Sequence, residues 1–207
     1  MKVLMLNGSA HPHGCTATAF DEMARVFAQE GVETEILQVG NRDIRGCIGC
    51  GSCAKTGRCV FQDDVNEIAP KFEEADALVV GSPVYYGSPN GTLLALLDRL
   101  FYSTRFPKHM KVGASVVSCR RGGNTASFDV LNKYFLISGM PLAPSTYWNM
   151  IHGFTAEDAL KDLEGLQTMR NLARNMVFLM KAIRDGKEAY GLPEAEHSNW
   201  TSFPDGK

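Results

Sequence analysis

Short apolar runs alternate with amphipathic stretches along this chain, and the alternation predicts a strand–helix repeat. Residues 3–6 form a continuous apolar run halted at once by Asn7-Gly8-Ser9, the pattern of a buried strand ending in a turn. Within residues 16–29, Ala19, Phe20, Met23, Val26 and Phe27 recur at helical spacing, and Gly31 closes the element. Residues 33–39 predict a second strand and residues 63–74 a helix, with the acidic pair Asp63 and Asp64 favouring its N-terminus. The strands at 77–81, 112–118 and 142–147 alternate with helices at 91–102 and 125–138. A last helix follows the capping pair Thr155 and Asp158. Its stripe of Leu166, Met169, Ala173, Met176, Met180 and Ile183 reads as core packing, and Gly186 is expected to end it.

Five strand–helix units in strict alternation predict an α/β fold: a parallel sheet with right-handed crossovers and helices on both faces. Five strands suit the order 2-1-3-4-5 of a flavodoxin-like three-layer sandwich, spanning residues 1–193, with residues 194–207 as a C-terminal tail. Ligands of such a sheet bind beyond the carboxyl ends of the strands, where the strand order reverses. The loops after strands one, three and four are therefore the places to look for chemistry.

Composition narrows the function classes. A formal charge of −2 over 207 residues gives no basic field, so neither nucleic acid nor an anionic membrane is an expected partner. Apolar runs are too short to span a bilayer or to form a signal-peptide core, so the expected location is cytoplasmic. In that reducing setting, six cysteines point to metal or redox chemistry rather than a disulfide framework.

The first loop, NGSAHPHGCTAT, is rich in glycine and hydroxyls and runs straight into a helix, which makes an anion site of backbone N–H groups. It has neither the lysine of a Walker loop nor the glycine spacing of a dinucleotide fold, and a phosphate monoester suits it better than a triphosphate. The second, SPVYYGSPNG, is expected to be a rigid extended loop presenting Tyr85 and Tyr86 along the edge of a flat ring. The third, SCRRGGNT, combines close backbone approach at Gly122 and Gly123 with positive charge at Arg120 and Arg121. Together they describe a phosphate clamp and two walls for a planar ring, an FMN site. His152, on the same edge, is a weaker candidate.

These motifs resemble the NADPH-dependent FMN reductase and multimeric flavodoxin superfamily, and within it the iron–sulfur flavoproteins. The resemblance implies that the FMN phosphate falls to Ser9, His11, Cys15, Thr16 and Ala17. It also implies an isoalloxazine lined by Pro83, Val84, Tyr85, Tyr86 and Gly87 and by Ser118, Arg120, Arg121, Gly122 and Gly123. His11 and Cys15 depart from the arginine and asparagine common in that family, which bears on the side-chain share of phosphate binding. An FMN-dependent oxidoreductase, NAD(P)H- or ferredoxin-linked, with a small-molecule acceptor and a homodimeric or homotetrameric assembly, is what the resemblance implies.

The remaining feature is the run GCIGCGSCAKTGRC at residues 46–59, in which Cys47, Cys50, Cys53 and Cys59 are spaced x2, x2, x5. Three thiolates two residues apart on a glycine-rich loop can hold three corners of a cubane, with the fourth arriving from further along. Arg45, Lys55 and Arg58 can offset the charge of a ligated cluster. Zinc, a redox disulfide and unligated thiols remain alternatives at this level, although zinc usually takes two separated knuckles and no helix is expected to start at a Cys-x-x-Cys. By resemblance, the loop implies one [4Fe–4S] cluster. Strand spacing puts the loop roughly 10–15 Å from the expected flavin, so electron exchange across a subunit interface is expected. The rival functions are an NAD(P)H-dependent FMN or quinone reductase without a cluster, and a thiol-based redox-sensing binding protein.

Overall fold

The structure, a computed structural model, describes residues 1–197 and residue 199; most of the expected tail at 194–207 lies outside the described residues. Its elements run β1 (Lys2–Asn7), α1 (Cys15–Gln29), β2 (Glu33–Gln38), α2 (Cys53–Thr56), α3 (Asp64–Glu74), β3 (Ala77–Tyr85), β4 (Ser88–Pro89), α4 (Gly91–Ser103), β5 (Val112–Cys119), α5 (Asn124–Ile137), β6 (Met150–His152), α6 (Ala156–Ala159) and α7 (Leu163–Tyr190). The parallel strands lie in the order β2-β1-β3-β5-β6, which is 2-1-3-4-5 with the two-residue β4 set aside. The fold is flavodoxin-like, as the alternation predicts.

Side-chain alternation along the strands divides the core into two layers. Val3, Met5 and Val79 face α1 and α7, where Phe20, Met23, Met169, Met176 and Met180 are buried. Leu4, Leu6, Leu78 and Val80 face the other way, onto Phe72 of α3, Leu93, Leu96 and Leu100 of α4, and Phe135 of α5. A one-residue slip of β1 would exchange these two sets of side chains between layers of different shape, so the register is strongly specified.

The switch point between β1 and β3 is tied together by one side chain. Buried Asn90, at the N-cap of α4, donates from Nδ2 to the carbonyls of Gly8 (2.7 Å) and Gly40 (3.1 Å). Its Oδ1 accepts the N–H of Thr92, and its own N–H donates to Ser82 Oγ. Gly40 lies so close to the β1 loop that a Cβ there would stand 2.2 Å from the Gly8 oxygen. The chain leaving β2 toward the cysteines is thereby pinned to the turn after β1.

Three expectations need correction. The fifth strand is not at 142–147: that segment makes a single bridge, Leu142 with Gly113, and the edge strand is β6, paired with Val117–Cys119. The ladder stops once the Ala143 N–H has met the Gly113 carbonyl: the Ser145 hydroxyl turns the chain by bonding to the Tyr147 carbonyl, and an exposed Tyr147–Trp148 pair follows before the chain rejoins the sheet. Thr155 and Asp158 do form a capping box, but it caps the single turn α6, while Asp162 caps α7 by accepting from Gly165 N–H at 2.9 Å. Gly186 does not end α7, which continues to Tyr190 and stops at Gly191 with φ 76°. A glycine inside an exposed helix costs only about 1 kcal/mol and need not break it.

Asn90→Ala removes the donor to two buried carbonyls and the cap of α4 together. The expected loss is about 2–3 kcal/mol, read as a lower urea midpoint with an unchanged slope.

Candidate functional site

The carboxyl ends of β1, β3 and β5 open into a cavity of about 770 Å³, within the usual range for a cofactor of flavin mononucleotide size. Its floor comes from the first loop. Asn7 Oδ1 accepts the Ser9 N–H and Ser9 Oγ accepts the His11 N–H, folding the chain back so that Gly14 stands at the N-cap of α1. Gly14 supplies no side-chain acceptor, so the first-turn N–H groups of a 15-residue helix open toward the loop that lines the cavity. That arrangement suits a phosphate.

Ser9, His11 and Cys15 line the cavity, whereas Thr16 and Ala17 lie behind it. Thr16 is buried and shares a hydrogen bond of 3.0 Å with Ser118 Oγ, locking α1 to the end of β5. Cys15 Sγ donates to the Thr155 carbonyl at 3.1 Å. Burial raises the Cys15 and Cys119 thiols above the usual thiol range, which favours the neutral thiol at both.

The second loop is tighter than expected. Strand β3 continues through Tyr85 and reverses at Tyr86 (φ 50°) and Gly87 (φ 80°) into β4, a hairpin with two left-handed central residues. Pro83, Val84 and Tyr85 therefore line the cavity, and Tyr86 and Gly87 form the turn beyond it, with Tyr86 wholly exposed. In the third loop Ser118 and Arg120 line the cavity. Arg121 and Gly122 are exposed, and Gly123, at φ 86°, caps α5 and packs against Gly87.

A fourth wall was missed by the sequence reading: Gly153, Phe154, Thr155, Ala156 and Glu157, the entry to α6. The Thr155–Asp158 pair was its visible signal, but it was read only as the cap of the last helix. His152 lies in a neighbouring hollow, with Nδ1 3.4 Å from Asp162 Oδ2 and Nε2 3.3 Å from Asn124 Nδ2.

All four cysteines of the 46–59 loop line a second, separate concavity against the C-terminal half of α4. All six cysteines are free thiols. Gly49, Gly51 and Gly57 have φ of 64°, 68° and 67°, so the backbone reverses on either side of Cys50 and again after α2. A helical turn of only four residues begins at Cys53, the last cysteine of the Cys-x-x-Cys pairs, and none begins at Cys47 or Cys50. Among the described residues, no group of three or more His, Cys, Asp or Glu side chains stands in metal-holding geometry.

Cys59 is fixed far more firmly than the other three. Asn66 Oδ1 accepts its N–H and Asn66 Nδ2 donates to its carbonyl, each at 3.0 Å. Arg99, 1% exposed on α4, donates to Cys59 Sγ from Nε at 3.2 Å and from Nη2 at 3.1 Å. The same guanidinium takes both oxygens of Asp63, at 2.7 and 2.8 Å, and reaches the Arg45 carbonyl at 3.1 Å, so all five N–H donors are used. Burial alone would lower the Arg99 pKa, but its bonds to Asp63 and Cys59 hold it above its usual value. The Arg99 and Arg45 guanidinium groups both lie over the Phe61 ring, 4.9 and 4.7 Å from its centroid.

The buried Ser103 hydroxyl, which lines this same concavity, has no hydrogen-bond partner among the described residues. Four thiols, a guanidinium already bonded to one of them and a buried hydroxyl without an acceptor are a donor set that fits an iron–sulfur cluster. Arg99, Asn66 and Ser103 were not singled out from sequence. A charged residue at position 99 amid Leu96, Leu97 and Leu100 was the available clue.

Comparison with known proteins bears on both sites. The model of the family described as NADPH-dependent FMN reductase matches residues 1–155. An iron–sulfur flavoprotein of Methanocaldococcus jannaschii is 34% identical over 192 residues, covering 89% of this chain and all of that protein. A second iron–sulfur flavoprotein, from Methanosarcina thermophila, is 29% identical over 192 residues, covering 91% of this chain and all of its own. Among solved structures, RosB with bound 8-demethyl-8-formylriboflavin-5′-phosphate superposes with a TM-score of 0.73 over 99% of this chain and 93% of its own, at 17% identity, a likeness of fold. With three quarters of its length matched, the chain is a member of the NADPH-dependent FMN reductase family.

Proposed function

We propose that the protein is an FMN-dependent oxidoreductase that couples FMN, in the cavity beyond β1, β3 and β5, to one [4Fe–4S] cluster held by Cys47, Cys50, Cys53 and Cys59. The observation that carries this reading is the convergence of all four thiols on one concavity in a flavoprotein-family chain. The names of its relatives support it, since they are called iron–sulfur flavoproteins. FMN when bound supplies the means to accept a hydride or an electron pair and release electrons singly.

The chain's own residues bind and orient. The N-terminus of α1 holds the phosphate, with Ser9 keeping the turn in shape. Tyr85 and Val84 wall one side of the ring and Arg120 sets positive charge at the other, where it favours a ring that has gained electrons. No side chain need act as an acid or base, and no catalytic residue is assigned. The donor is NAD(P)H or a ferredoxin, the acceptor a small molecule, and the setting a reducing cytoplasm in which the thiols stay free. No helix among the described residues is long and apolar enough to cross a membrane.

The two sites share no lining residue. Arg99 lies about 12 Å along α4 from Gly91, so the cluster sits on the flank of the molecule rather than at the flavin edge. A homodimer or homotetramer that sets the flank of one copy against the flavin edge of another would shorten the electron path. The second reading, an NAD(P)H-dependent FMN or quinone reductase in which the cysteine loop is empty, draws on the family description itself. A thiol sensor is disfavoured at Cys15 and Cys119, whose burial raises their pKa.

Anaerobically purified protein is expected to show flavin bands with a broad iron–sulfur shoulder, and about four iron and four acid-labile sulfide per chain. Flavin bands without iron would leave the plain reductase. Cys59→Ala is expected to lose the iron while retaining FMN, measured on one sample; loss of both would tie the loop to the flavin site instead. Size-exclusion chromatography with light scattering is expected to give a dimer or tetramer, and a stable monomer of 22.7 kDa would remove the interface.

A further inference from the structure

We propose that α4 tunes the electron affinity of the cysteine site with two donors one turn apart, Arg99 acting through Cys59 Sγ and the Ser103 hydroxyl bonding to a sulfur of the occupant. The inference rests on the cluster reading above and goes beyond it, because a ligand loop needs neither residue.

Arg99 is the largest fully buried side chain in the described part of the protein. Burying a guanidinium is costly, and structural needs would be met more cheaply by an apolar residue on a helix whose neighbours are leucines. Its bonds divide into two kinds. Those to Asp63 and the Arg45 carbonyl tie together the base of the loop, and those to Cys59 Sγ place a positive charge 3.1–3.2 Å from one of the four sulfurs. A cation and N–H donors beside a ligating sulfur stabilise the state carrying the extra electron, which raises the reduction potential. Asp63, 21% exposed, partly cancels that charge.

Ser103 follows Arg99 by four residues and shares its helix face. Its Oγ is buried with no partner among the described residues, and it does not take the option open to helical serines of bonding back to a carbonyl one turn earlier. The concavity it lines is otherwise walled by the thiols, glycines, apolar and aromatic side chains and Arg99. The acceptor that satisfies it is a sulfur held by the four cysteines.

The test is a mediated dithionite titration of the iron-loaded protein, comparing wild type with Asp63→Asn, Ser103→Ala, Arg99→Gln and Arg99→Lys, with iron and sulfide counted on each sample. Asp63→Asn keeps an oxygen for the N-cap of α3, removes the charge that offsets Arg99 together with one of the two acceptors of its guanidinium, and leaves Arg99 its bonds to Cys59 Sγ and the Arg45 carbonyl, so it raises the potential. Ser103→Ala lowers it. Arg99→Gln lowers it most, by about tenfold in the reduction equilibrium constant, or about 59 mV for a one-electron couple. Arg99→Lys, which keeps the charge, recovers part of that shift. Opposite signs for Asp63→Asn and Ser103→Ala are what a purely structural role would not produce.

These two variants carry the decision, since neither cuts the contact between Arg99 and Cys59. Shifts of the same sign, or no shift in either, at wild-type iron content overturn the proposal and leave the cluster reading standing. Wild-type protein without iron or sulfide after anaerobic reconstitution overturns the cluster reading itself, and this proposal with it.

Discussion

The arrangement of both sites depends on the burial of one carboxamide. Asn90 spends its two N–H donors on carbonyls just after β1 and β2 and its oxygen on the first turn of α4, while its backbone is held by Ser82 within β3. A parallel sheet fixes where strands lie but leaves the loops beyond them free, and buried polar groups without partners there would be costly. Asn90 resolves both problems with one side chain. It gives the first loop its position at the α1 end of the cavity and sends the chain after β2 away along the flank.

From that branch point the protein builds two sites by opposite means. The cavity beyond β1, β3 and β5 is made of rigid parts: strand ends, a helix N-terminus and the capped turn α6. The cysteine loop has little secondary structure and draws its order from two anchors near its end, Asn66 and Arg99, both holding Cys59. The first design suits a cofactor that is gripped along its length. The second suits an inorganic group that itself organises the chain around it.

Much of this was legible in the sequence, for physical reasons that differ by element. Buried parallel strands such as residues 3–6 and 77–81 are uninterrupted apolar runs and announce themselves, and their alternation with helices fixes the fold class. The edge was harder to read, because the chain turns at Ser145 and Tyr147 after a single bridge and a strand of only three residues carries almost no period. The flavin loops were readable as glycine-rich turns at known strand ends. Their inner and outer members were not, since the turn at Tyr86 and Gly87 depends on a hairpin register that composition does not encode. Arg99 lay hidden because its partners are 36 and 40 residues away in the chain, a separation that no local pattern reports.

The closure of the cysteine loop has an evolutionary side. Arg99 gathers Arg45, Cys59 and Asp63 at one point, so the chain between residues 45 and 59 leaves and returns to the same place on the body of the protein. A loop whose ends are joined in this way can lengthen, shorten or lose its thiols at little cost to the sheet, because loop-closure entropy grows only slowly with length. The cysteine segment is in this sense a cassette. A lineage could discard or reshape it and keep the sheet and the cavity beyond β1, β3 and β5, by changes confined to fewer than twenty consecutive residues.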